Sequence, residues 1–183
     1  MVIYLTSWLL IQPIKMDTIF KNNAYRIIEL FMLKDKEYSL RGIGRALGVS
    51  HATAIKYIKE IEKLGLVRKK ESIYPTYIGT DKLRYYKQEH MVFSLRELTS
   101  YLKTKTLASS IVLFGSCARG DYNQDSDVDI FVESEEVSLE LKVFEKKIGR
   151  KINVLFEPKI NDLSQELKNN ILNGQVLYGF IRI

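Results

Sequence analysis

Two aspartates, Asp127 and Asp129, sit two residues apart in the run Asp127-Val128-Asp129-Ile130-Phe131-Val132, downstream of Gly115-Ser116. The apolar context reads as a strand, and side chains two apart on a strand project to one face. Two carboxylates held side by side repel unless a cation lies between them. Hard oxygen ligands of that kind suit Mg²⁺, which is held by one or two carboxylates together with substrate phosphates. Upstream, Ile111-Val112-Leu113-Phe114 is a short apolar run ending at a glycine, as expected of a central strand. Gly115 lets the backbone approach a ligand, and Ser116 adds a hydroxyl and an amide donor where the chain turns. These residue types at this spacing suit a nucleoside triphosphate carried by Mg²⁺.

Gly115-Ser116, ten intervening residues and then Asp127-x-Asp129 resembles the signature of the DNA polymerase β-like nucleotidyltransferase superfamily. The fuller string Gly115-Ser116-Cys117-Ala118-Arg119-Gly120, followed by Ser126-Asp127-Val128-Asp129, is similar to its minimal branch, which includes antitoxins paired with HEPN-type toxins. The resemblance covers the last half of the chain. It implies transfer of a nucleoside monophosphate from an NTP, with ATP the first expectation, to a hydroxyl of a protein or small molecule. It also implies Mg²⁺ as cofactor, Asp127 and Asp129 as catalytic metal ligands, and Gly115 and Ser116 on the phosphate tail. Arg119 is an added cation there, or else the partner of Asp121 or Asp125. The third carboxylate of the superfamily stands on the next strand, which here reads Ile152-Asn153-Val154. Asn153 can offer Mg²⁺ an oxygen but no charge, and it is no base near neutral pH. Two readings therefore stay open. One is an active transferase, antitoxin-like and with a HEPN-type toxin as acceptor. The other is a DNA-binding transcriptional regulator whose second domain senses a nucleotide with weakened catalysis.

The elements around these residues make an α+β chain of two domains, residues 1–90 and 91–183. In the first, apolar periodicity predicts a helix over 17–33. A short helix spans 38–48, ending at Gly48, and a Ser50-capped helix runs from His51 to Leu64 before Gly65, with Ala54, Ile55, Ile58, Ile61 and Leu64 on its apolar face. Strands follow at 66–70 and 74–78. Helix, tight turn, helix and two strands resembles a winged helix-turn-helix domain. That resemblance places Ser50, His51, Thr53, Ala54 and Lys56 toward DNA bases, and Arg68, Lys69 and Lys70 toward phosphates. A helix from Thr80 to about His90 and a further amphipathic helix over 92–102, continuous or lightly kinked, lead into strand 111–114. After the aspartates come a Ser134-capped helix over 135–148, a strand at 151–156, a helix opening at Asn161 and a strand at 176–179. This is a small mixed sheet with helices on one face.

Charge divides the chain in the same way. Residues 1–90 hold 16 Lys/Arg against 9 Asp/Glu, whereas residues 91–183 hold 12 against 13. A basic first half suits a polyanion partner. The single cysteine, Cys117, excludes an internal disulfide and suits a reducing cytoplasm. It reads as filler at a tolerant loop position. His51 reads as a surface residue, since the only other histidine is His90. The apolar run 1–15 is shorter than the ~20 residues that cross a bilayer. It lacks the marks of a signal peptide and reads as a packed element, a dimer contact or an extension preceding Met16. No membrane partner is expected, and a homodimer would accord with a winged-helix regulator.

Overall fold

A computed structural model describes residues 23–33, 37–70 and 76–182. The apolar run 1–15, the first turns of the helix expected over 17–33, the turn at 34–36 and the segment 71–75 between the two basic strands lie outside the described residues. The chain forms two compact units, Met1–Thr80 and Asp81–Ile183.

In the first unit, α1 (Asn23–Leu33) buries Tyr25, Ile27, Ile28, Phe31 and Met32, the three-and-four spacing of a helix with one apolar side. A two-residue strand, β1 (Tyr38–Ser39), runs into α2 (Leu40–Leu47). The Ser39 hydroxyl caps α2 by accepting the Gly42 N–H at 3.1 Å. Ser50 caps α3 (His51–Lys63) in the same way, accepting from Thr53 N–H at 3.1 Å. Ala54, Ile58 and Ile61 are wholly buried, but Leu64, expected beside them, is 56% exposed. The helix ends at Lys63, and the chain turns through Gly65 in the left-handed region, so Leu64 leaves the apolar stripe. β2 (Val67–Lys70) and β3 (Thr76–Gly79) pair antiparallel, and β1 lines the other side of β3. β2 is thus an edge strand.

In the second unit, α4 (Asp81–Ser94) passes into α5 (Arg96–Thr106) through Leu95 alone, whose N–H donates to the carbonyls of Met91 and Val92. The units part after Thr80, ahead of the boundary expected near His90. The reason is packing: Lys87 and Gln88 of α4 donate to the carbonyls of Tyr122 and Ala118. A Cβ on Gly120 would lie only 2.4 Å from the Arg84 carbonyl. α4 is therefore bound to the segment that precedes the aspartate-bearing strand.

The sheet contains β4 (Ser110–Phe114), β5 (Val128–Val132), β6 (Ile152–Phe156) and β7 (Gln175–Gly179) in the order β6-β5-β4-β7. β5 pairs antiparallel with β4 and parallel with β6, and β7 is antiparallel to β4. The helices do not share one face. Ile111, Leu113, Val128, Ile130, Val132 and Ile152 pack with Leu95, Leu98 and Leu102 of α4–α5 and with Phe144 and Ile148 of α7 (Lys142–Ile148). On the opposite face Val112 and Phe131 pack with Ile160, in a 3-10 turn, and with Leu167 and Ile171 of α8 (Gln165–Leu172). Apart from Asp129 in β5 and Ser110 at the start of β4, both central strands are apolar throughout because both faces are covered.

Two further expectations are corrected. The helix predicted over 135–148 is only α7. Residues 135–141 run irregularly, with Val137, Leu139 and Leu141 half-buried between exposed neighbours, and Glu140 N–H donates to the Tyr101 hydroxyl at 2.9 Å. The Ser134 hydroxyl donates to the Glu135 carbonyl rather than capping a helix. The last helix opens not at Asn161 but after Ser164, which accepts the Leu167 N–H. Among the described residues no helix is long and apolar enough to cross a membrane.

Candidate nucleotide and metal site

Register brings the site together. Asp129 on β5 stands opposite Phe114, the last residue of β4, and opposite Asn153 on β6. Gly115 follows Phe114 at once and opens a five-residue helix, α6 (Gly115–Arg119), where the sequence suggested only a turn. Asp127 lies just before β5. One Asn153 Nδ2 donates to both acids, to Asp127 Oδ2 at 3.2 Å and to Asp129 Oδ1 at 3.0 Å. The two carboxylates therefore converge on a single amide. All three side chains are half-buried, deep enough for their charge to matter and open enough for a ligand to reach them.

Gly115 is held there by two constraints. Its φ is +72°, and a Cβ at this position would sit 2.7 Å from Asp129 Oδ2. Only a residue without a side chain lets the backbone come this close to the acid. Ser116 is half-buried, and its carbonyl accepts the N–H groups of Gly120 and Asp121. Arg119 is exposed, and its Nε donates to Asp121 Oδ2 at 3.0 Å. That is the ion-pair alternative for this residue, and a surface pair of this kind contributes about 0–1 kcal/mol.

The donor set fits Mg²⁺. It consists of two carboxylates and, if the Asn153 amide turns over, one neutral oxygen. Mg²⁺ is commonly held by one or two carboxylates plus phosphate oxygens and water. Among the described residues no group of three or more His, Cys, Asp or Glu comes together to hold a metal; Asp127, Asp129 and Asn153 are the oxygen-bearing side chains that converge here.

Cys117 is not on a tolerant loop. It is wholly buried in α6, and its Sγ lies 3.2 Å from the Asp127 carbonyl, to which it donates. Burial above all pushes the thiol up to about 11, so it stays protonated and unreactive at neutral pH. The segment 117–127 is further held from outside. Gln88 Nε2 donates to Ala118 O (2.8 Å), Lys87 Nζ to Tyr122 O (2.5 Å) and Arg150 Nη1 to Ser126 O (2.7 Å). Nothing in the sequence marks these three residues, which act through backbone carbonyls far away along the chain.

In the first unit, the residues expected to face DNA are partly used internally. Ser50 and Thr53 bond to each other through their hydroxyls at 2.8 Å as well as through the cap. Ala54 is wholly buried in the packed face of α3, not on its exposed side. His51 and Lys56 are exposed on α3, and Arg68, Lys69 and Lys70 are exposed on the edge strand β2, with Lys70 paired to Glu37. His90 lies half-buried in α4, where desolvation lowers its pKa.

Comparison with known proteins agrees with the second unit's geometry. Residues 95–178 match the family model described as "Nucleotidyltransferase domain". Two proteins of Methanocaldococcus jannaschii, each named "Putative protein adenylyltransferase", are similar to this chain. One is 38% identical over 76 residues, covering 37% of this chain and 76% of the relative. The other is 35% identical over 99 residues, covering 46% of this chain and 95% of the relative.

Proposed function

Because the chain belongs to the nucleotidyltransferase domain family, we propose that it transfers a nucleoside monophosphate, AMP from ATP in the first instance, to a hydroxyl of a partner protein. The observation that carries this reading is the convergence of Asp127 and Asp129 on Asn153, directly against the backbone of Gly115. The names of the two relatives favour adenylyl transfer to protein. The resemblance to antitoxins favours a HEPN-type toxin as the acceptor.

Asp127 and Asp129 would hold the cation that carries the triphosphate, and Asn153 would offer its amide oxygen in place of the Nδ2 that it turns to both acids. Bound Mg²⁺ supplies neutralisation of the phosphate charge as it builds up during displacement. Gly115 leaves room for the phosphate tail beside Asp129, and we assign the Ser116 hydroxyl to it; Arg119 would join only by leaving its pair with Asp121. The acceptor hydroxyl forms a new O–P bond at the α-phosphorus. The α–β bridging P–O bond breaks, pyrophosphate leaves, and the hydroxyl proton goes to water, since Asn153 has no basic atom.

The first unit has the element order of a winged helix. We read its exposed His51, Lys56, Arg68 and Lys69 as a nucleic-acid face, with Ser50 and Thr53 shaping the helix start between them. Duplex binding whose affinity is unchanged between 50 and 200 mM salt would contradict that reading, since phosphate contacts impose a steep salt dependence.

A competing reading rests on Asn153: a regulator that binds the nucleotide without turning it over. Incubation with Mg²⁺ and each α-³²P-labelled NTP, with and without the product of the neighbouring gene, separates the two. Label moving onto protein in the wild type and lost in Asp129→Ala is the expected result. Label that binds and never transfers would overturn the transferase in favour of the regulator.

A further inference from the structure

We propose that Arg150 is a positioning residue for the carboxylate pair: its guanidinium fixes the Ser126–Asp127 peptide and so sets the direction of Asp127. This rests on the metal-site reading above. Asp127 stands one residue before β5, outside the ladder that aligns Asp129. Its orientation therefore depends on what holds the peptides on either side of it. On one side the Ser126 carbonyl takes a charge-assisted bond of 2.7 Å from Arg150 Nη1. On the other, the Asp127 carbonyl takes the Cys117 thiol, and Val128 N–H donates to the Lys151 carbonyl at 2.9 Å. Arg150 is the one charged group in this set.

The guanidinium is itself held. It lies 4.7 Å from the ring centre of Tyr122, a buried residue over which Lys87 Nζ also sits at 4.4 Å. Lys87 donates to the Tyr122 carbonyl, and the Tyr122 hydroxyl donates to the Lys87 carbonyl. Among the described residues Arg150 joins none of the ion pairs. A cation spent on a backbone carbonyl next to an acid is an outer-shell support, and losing such a support weakens metal binding about 10–100-fold.

The test is Mn²⁺ binding to the full chain without nucleotide, read from the free-ion electron paramagnetic resonance signal, with circular dichroism to follow the fold. Arg150→Met keeps an apolar stem against Tyr122 and removes the donors. Its Mn²⁺ dissociation constant should rise about 10-fold on an intact fold, and Arg150→Lys should recover most of that. Asp129→Ala should bind none. Arg150→Met binding as the wild type does, or Arg150→Lys no better than Arg150→Met, overturns the assignment and leaves the metal site standing. Wild-type protein that takes up no Mn²⁺ overturns the metal site, and the role of Arg150 with it. Should Arg150→Met fail to fold, Arg150→Leu, which likewise has no donor, is judged by the same criteria.

Discussion

Replacing Gly115 by alanine tests whether the backbone really has to lie against Asp129. Two costs are involved and a second glycine separates them. Gly115 and Gly149 have nearly equal φ, +72° and +74°, but a Cβ on Gly149 would meet nothing within 4 Å. Gly149→Ala therefore carries only the left-handed backbone penalty, about 1–2 kcal/mol. Gly115→Ala carries the same penalty and in addition places Cβ 2.7 Å from Asp129 Oδ2, inside ordinary contact distance. The carboxylate can rotate away, but only by giving up the Asn153 bond to Oδ1. Hydrogen bonds to charged groups contribute about 1.5–3 kcal/mol, reduced here by partial exposure, so Gly115→Ala should cost about 1 kcal/mol more than Gly149→Ala. Urea unfolding of both variants measures the difference. Mn²⁺ titration measures the consequence: wild-type affinity in Gly149→Ala, and a loss of about 10-fold or more in Gly115→Ala because a ligand has turned. Equal destabilisation in the two variants, with Mn²⁺ affinity unchanged in Gly115→Ala, would refute the argument.

Asn153→Asp replaces the shared amide donor with a third negative charge. The metal-free protein should lose about 1–3 kcal/mol of stability through repulsion and two lost hydrogen bonds, and Mg²⁺ should restore it. Thermal melts with and without Mg²⁺ check this, and transfer assays should show a faster rate if the missing base is limiting. Cys117 gives a pH signature. Its thiol is raised from about 9 to about 11 in the folded protein, so the unfolded chain loses that proton first as pH rises. Its contribution to stability is complete below about pH 9 and falls away toward pH 11. Denaturant midpoints across that range should fall more steeply for wild type than for Cys117→Ala; parallel curves would show that the thiol is not buried as described.

The local signals in this chain were sound where one element carries its own evidence. Ser50 stands where a side-chain cap is made, and β4, β5 and β6 announce themselves as apolar runs bounded by glycine and polar residues. Ser39, read as part of a helix over 38–48, instead closes β1 and caps the helix that starts at Leu40. Reading failed where two periods compete. Ser134 followed by acidic residues looks like a helix start, but Val137, Leu139 and Leu141 alternate with exposed neighbours, a period of two that Tyr101 holds open through Glu140. Leu64 failed for a related cause: its spacing fits the helix, which stops one residue short of it.

The sequence by itself determined that two acids of one strand parity stand downstream of a Gly-Ser turn, and that an asparagine occupies the next strand. Side-chain parity and turn chemistry are local properties, readable without knowing the neighbours. Tertiary structure alone decided that one amide of Asn153 reaches both acids, since that depends on the parallel register of β5 with β6. It also decided that both faces of the sheet are covered, and that Lys87, Gln88 and Arg150 hold the loop before Asp127. Those bonds end on backbone carbonyls, which every residue possesses. No side-chain type at the receiving end could have disclosed them.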